Sequence, residues 1–91
     1  MMEKPMPDVE VFTQPWCPFC AQAMRLLDSK RVAYREIDAP HGSAARVESI
    51  RRSGGVSSVP QIFIDGQRVG GCDDLMALDA EGRLDRLLQI A

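Results

Sequence analysis

Two apolar runs, Gln61-Ile62-Phe63-Ile64 and Gln67-Arg68-Val69, meet across Asp65-Gly66, and no other stretch limits so strongly what this chain can become. A two-residue link between such runs calls for a type I′ hairpin, since that turn needs two residues that tolerate positive φ. The segment therefore closes a sheet with an antiparallel pair. Upstream, Asp8 to Thr13 reads as a strand rich in Val and Phe, and Pro15 turns the chain out of it into a loop carrying Trp16. From Pro18 to about Lys30, Cys20, Ala23, Met24 and Leu27 recur at helical spacing, with Gln22, Arg25 and Asp28 opposite them. Val32 to Ile37 is a second strand, and strand, helix, strand in so short a span implies parallel pairing through a right-handed crossover. A helix over Ser43 to Arg52, amphipathic through Ala44, Val47 and Ile50, ends near Ser53-Gly54-Gly55. After the hairpin, Gly70-Gly71 allows a bend and Asp73 or Asp74 caps a helix whose buried side is Leu75, Met76 and Leu78. Leu84, Leu87, Leu88 and Ile90 dock a last short helix from Arg83 on. This order gives an α/β fold, a four-stranded mixed sheet with helices on both faces.

Between the first strand and the first helix stands Cys17-Pro18-Phe19-Cys20, a reversible dithiol/disulfide pair at a helix start. A helix N-terminus presents unpaired N–H groups and the positive end of a dipole, both of which stabilise a thiolate. Pro18 suits the first helical position, because its φ is already helical and its missing N–H would have had no partner there. Cys17 then falls at the cap and Cys20 one turn inside on the same face, more sheltered. Cys17 is read as the nucleophile, its pKa lowered, and Cys20 as the resolving thiol that attacks a mixed disulfide on its neighbour. A structural disulfide or half of a zinc site is the competing use of such a pair. The strand-then-helix setting favours redox chemistry.

With 91 residues, 45% of them hydrophobic, the chain is read as one domain over 1–91, with 1–7 a loose N-terminal segment. A net charge of -2 and no basic stripe argue against nucleic acid. Arg46, Arg51 and Arg52 cluster as the wet face of a helix is expected to. No run approaches the roughly 18 apolar residues that span a membrane, and residues 1–7 lack the apolar core of a signal peptide. A soluble cytoplasmic protein is expected, a compartment where paired cysteines are more often catalytic than structural. Cys17, Cys20, Cys72 and His41 make a poor zinc inventory, not arranged as paired knuckles, so no metal is expected and His41 reads as a loop residue.

Three motifs, Thr13-Gln14-Pro15-Trp16-Cys17-Pro18-Phe19-Cys20, Ser58-Val59-Pro60-Gln61-Ile62-Phe63-Ile64-Asp65-Gly66 and Gly70-Gly71-Cys72-Asp73-Asp74, stand in an order and spacing that resemble the glutaredoxin family. The resemblance runs from about Asp8 to Leu88 and points to its dithiol members. It implies a thioredoxin-like three-layer α/β/α fold and a glutathione-dependent thiol–disulfide oxidoreductase acting on protein–glutathione mixed disulfides and protein disulfides. Glutathione is then the cosubstrate of a monomer, with glutathione reductase and NADPH completing the cycle outside this chain. A thioredoxin-type reductase and a carrier of a glutathione-ligated [2Fe–2S] cluster are the alternatives.

By the same resemblance the Val59-Pro60 bond is cis, and Val59 holds the cysteine portion of glutathione by backbone pairing, as an added strand would. Gly71, Cys72 and Asp73 match the site for the γ-glutamyl end. Helix amides suit its carboxylate, and the Asp73 side chain its ammonium group. Cys72 serves through its N–H, its thiol being a further point for oxidation or glutathionylation. Gln14 stands where many members carry Lys and donates a hydrogen bond but no charge, so Arg46 bears more of the glycyl carboxylate. Phe19 replaces the commoner Tyr as an apolar wall beside the sulfur. Trp16, closer to thioredoxins, covers the disulfide or contacts protein substrates.

Overall fold

The computed structural model describes residues 6–90, so the expectation of a loose segment at 1–7 lies largely outside the described residues. The elements run β1 (Val9–Thr13), α1 (Pro18–Ser29), β2 (Arg35–Asp38), α2 (Ala44–Arg52), β3 (Gln61–Ile64), β4 (Gln67–Gly70), α3 (Cys72–Ala80) and α4 (Leu84–Leu87). They build a four-stranded sheet in the order β2-β1-β3-β4, with β1 parallel to β2 and antiparallel to β3, and β3 antiparallel to β4. The expected mixed sheet is thus present, and the hairpin turns as expected: Asp65 and Gly66 have φ of 51° and 80°.

Alternation along the two central strands sends their side chains to unlike layers. Val9 and Val11 of β1 with Ile62 and Ile64 of β3 join Ala23, Leu27, Leu75, Leu84 and Leu88 in an aliphatic core shared with α1, α3 and α4. Phe12 and Phe63 point the other way into a small cluster with Ala39, against which Ala45 of α2 packs. Helices on both faces thus give the three-layer thioredoxin-like arrangement.

Five sequence expectations are corrected. The second strand begins at Arg35, not Val32, because α1 ends in a Schellman motif: Arg31 takes a φ of 58°, its N–H bonds to the Asp28 carbonyl and the Val32 N–H to the Leu27 carbonyl. Val32 is thereby folded under the helix end, 8% exposed. The amphipathic reading of α2 is rotated: Ala44 and Val47 face solvent while Arg46 and Ser49 are buried. Of the three arginines expected on a wet face, Arg51 alone lies there, paired with Glu48. Arg52 instead lies 4.2 Å over the Phe63 ring and pairs with Glu10, a β1 carboxylate on the same face. In α3 the buried residues are Cys72 and Leu75, with Met76 turned to solvent about 100° round the helix. Leu84 and Leu88 dock the last turn as expected, but Leu87 and Ile90 remain largely exposed.

Candidate active site

Cys17 is the N-cap residue of α1 and Pro18 its first helical position. The Cys20 N–H donates to Cys17 Sγ at 3.1 Å, and the Ala21 N–H to the Cys17 carbonyl at 3.1 Å. The helix start thus spends one of its unpaired donors on the sulfur, the arrangement that favours a thiolate once the bond is reduced. Cys17 and Cys20 form a disulfide, their Cα atoms 5.2 Å apart. The two sulfurs differ in access: Cys20 is 1% exposed, whereas Cys17 is half-buried.

A cis Val59-Pro60 bond brings the Val59 carbonyl to 4.0 Å from Cys17 Sγ. Beyond it runs a groove of about 290 Å³, whose walls include Phe19, Val59, Pro60, Gly71, Cys72 and Asp73. The chain closes in tightly at its far end. Gly70 has a φ of 120°, and a Cβ there would collide with the Asp74 carboxylate. That carboxylate accepts the Gly71 N–H at 2.9 Å, so Asp74 reaches back to the start of α3 from its first turn while Gly71 is the N-cap residue. Asp73 makes no such bond and faces the groove, exposed.

Cys72 contributes backbone to this end, but its thiol is turned into the aliphatic core at 5% exposure. Burial pushes its pKa up, and the neighbouring Asp73 charge adds to this. The expected susceptibility of that thiol to oxidation or glutathionylation is therefore corrected: a buried, protonated thiol is inert. Trp16 does not cover the disulfide either, its indole being 98% exposed. His41 sits exposed in the turn before α2.

Gln14 and the two cysteines line a second cleft, with Trp16, Pro18, Ala21 and Met24. Arg46 lines neither. It is 5% exposed, donating from Nη1 to Gln14 Oε1 at 2.9 Å and the Ala39 carbonyl at 2.7 Å, and from Nε to the Ser57 carbonyl at 3.0 Å. One guanidinium thereby ties the segment before Cys17 to the segment before Val59. Sequence reasoning missed Arg68, which lines the groove and donates from Nε to Gln61 Oε1 at 3.1 Å. The hairpin register was a usable signal, because pairing Arg68 with Phe63 sets it on the face shared by Gln61. Among the described residues, no group of three or more His, Cys, Asp or Glu side chains is arranged to hold a metal ion.

Comparison with known proteins agrees with this geometry. The glutaredoxin family model matches residues 9–69. The chain is 52% identical over 84 residues to glutaredoxin 3 of Escherichia coli strain K12, covering 92% of this chain and all of that protein. A glutaredoxin from Brucella melitensis superposes with a TM-score of 0.80 at 49% identity, covering 93% of this chain and 91% of that one. A buckwheat glutaredoxin in complex with glutathione superposes with a TM-score of 0.81 at 28% identity, covering 91% and 77%. With the fold, the paired cysteines and these likenesses in agreement, the chain belongs to the glutaredoxin family of thiol–disulfide oxidoreductases.

Proposed function

We propose that the protein reduces protein–glutathione mixed disulfides, and disulfides within proteins, with glutathione as the reductant. The observation that carries this reading is the Cys17 sulfur, capped by the Cys20 N–H at 3.1 Å and 4.0 Å from the carbonyl of Val59, which lines a groove that carries Asp73 and an α-helix start. The similar buckwheat protein has been solved with glutathione, which supports the same ligand here.

In this reading the Cys17 thiolate attacks the glutathionyl sulfur of a mixed disulfide. A Cys17–glutathione bond forms, the original S–S bond breaks, and the protein leaves as a thiolate that takes a proton from water. A second glutathione thiolate attacks the bound glutathionyl sulfur, releasing glutathione disulfide and the Cys17 thiolate. For a protein disulfide, Cys17 bonds the substrate sulfur, Cys20 displaces it to form the internal disulfide, and two glutathiones reduce that bond. Glutathione reductase and NADPH restore the tripeptide in the cytoplasm.

The tripeptide lies with its cysteinyl part along Val59 and Pro60, against the ring of Phe19. Its γ-glutamyl carboxylate meets the first amides of α3, at Cys72 and Asp73, because the Gly71 N–H is already taken by Asp74, and the Asp73 side chain meets the ammonium group. Its glycyl carboxylate faces Gln14, while Arg46, expected to bear that carboxylate, is buried and acts on it only by holding Gln14. Because Gln14 accepts from Arg46 through Oε1, its –NH₂ is left to donate to that carboxylate. The decisive assay follows turnover of a glutathione mixed disulfide. Wild type and Cys20→Ser are expected to turn over and Cys17→Ser to be inactive. Turnover by Cys17→Ser would contradict the assignment.

A further inference from the structure

Cys17 lines one cleft, and its Sγ lies 4.0 Å from the Val59 carbonyl in the wall of another, unlike it. The groove that runs from Phe19 to Asp73 is charged, with Arg68, Asp73 and Asp74 in its walls. The second, of about 450 Å³, is lined beside the two cysteines by Gln14, Trp16, Pro18, Ala21 and Met24, and none of these is charged. The zwitterionic γ-glutamyl end of the tripeptide suits the first, its glycyl end reaching the Gln14 amide, and an uncharged apolar group suits the wall of Trp16, Pro18, Ala21 and Met24 in the second.

Trp16 is the odd residue of that second wall. Its indole is 98% exposed and its φ is 59°, a left-handed backbone that is unfavourable for any residue with a Cβ. The fold gains nothing from it, neither burial nor a relaxed backbone. A large apolar side chain held in water beside a reacting sulfur gains its contact when the reaction partner arrives. Trp16 directly precedes Cys17 and lines the same cleft, so a molecule whose disulfide is attacked by Cys17 comes within reach of the indole, and the occupant is that molecule.

We infer that the wall of Trp16, Pro18, Ala21 and Met24 receives an apolar side chain flanking the reactive cysteine of the protein substrate, while the γ-glutamyl end of the glutathionyl half lies in the charged groove. This deepens the proposed function and rests on it. The chemistry is unchanged: the Cys17 sulfur bonds the glutathionyl sulfur, the old S–S bond breaks, and the electron pair leaves on the protein sulfur. The Trp16 contact sets which protein sulfurs are presented, and makes Trp16 a specificity-determining residue.

The test compares two short peptide–glutathione mixed disulfides that differ in one residue next to the cysteine, Leu in one and Ser in the other. In wild type kcat/KM is expected to favour the Leu peptide by about fivefold or more. In Trp16→Ala the ratio should fall to within about twofold, and in Trp16→Phe, which keeps an aromatic face, it should persist. Using the ratio within each variant removes any general change in the cysteine or in folding. Equal turnover of the two peptides by wild type, or a preference that survives Trp16→Ala, overturns the inference and leaves the glutathione reading standing. Failure of wild type to turn over either peptide would remove that reading, and this inference with it.

Discussion

The two faces of the sheet are built on different physics. Toward α1, α3 and α4 the interface is aliphatic, with Leu27, Ile62, Leu75 and Leu84 all at 0% exposure. Toward α2 the apolar cluster is small, and polar groups fill the layer: Glu10 paired with Arg52, Arg52 over Phe63, and Arg46 bonded to three carbonyl-type oxygens. Burial drives the first face without direction, whereas the second depends on donors meeting acceptors at defined distances. The directional face is the one whose bonds reach Gln14 and Ser57, the segments that lead to Cys17 and Val59. Stability and site geometry are thus divided between the layers.

The largest expected effect comes from breaking the aliphatic side. Leu27→Ala should cost about 3–4 kcal/mol in denaturant unfolding, with kcat/KM per folded molecule unchanged. Arg46→Met comes next, leaving the Ala39 and Ser57 carbonyls without their donor. A loss of about 2–3 kcal/mol is expected, and a KM for a glutathione mixed disulfide raised about tenfold with kcat little altered. If Leu27→Ala moved KM as much as Arg46→Met did, the division between the faces would fail.

Glu10→Gln gives the smallest change and the sharpest signature. The Arg52 hydrogen bond holds the Glu10 carboxyl below the usual carboxylate range, with the charges of Arg52 and Arg35 adding to it and burial opposing. A depressed folded pKa means that the stabilisation is complete above the unfolded carboxyl value, about 4.3, and is lost as pH falls through the folded one. Wild type should exceed the variant by about 1–2 kcal/mol at neutral pH, and the two should converge in acid. Stability measured against pH checks this, and a gap that widened in acid would refute it.

The contrast also explains what the sequence could be read to contain. Val9 and Val11, Ala23 and Leu27, and Ile62 and Ile64 announce the aliphatic face through their spacing, because apolar burial is written in periodicity. The α2 face is not written that way. Arg46 is buried because the fold brings it the Ala39 and Ser57 carbonyls, and Arg52 because Glu10 and Phe63 arrive from strands far along the chain. No helical pattern of Ala44, Val47 and Ile50 reveals partners of that kind. The start of β2 at Arg35 is hidden for a related reason: Arg31 adopts a left-handed turn that Gly normally occupies.

At the site, what is local was legible. The cysteine pair with Pro18, the Val59-Pro60 dipeptide and Gly71-Cys72-Asp73 each carry their meaning within a few residues. What arises from juxtaposition was not: Arg68 in the groove, the inward turn of the Cys72 thiol, and the uncharged cleft beneath Trp16.

The central claim is that the start of α1 holds Cys17 as a thiolate. Its most direct test is a spectroscopic thiolate titration of Cys20→Ser, in which the buried Cys72 remains the other thiol and titrates above the ordinary range. The account predicts that Cys17 ionises well below an ordinary thiol, so that it is mainly thiolate at neutral pH. A Cys17 that stayed protonated until the ordinary thiol range or beyond would contradict it.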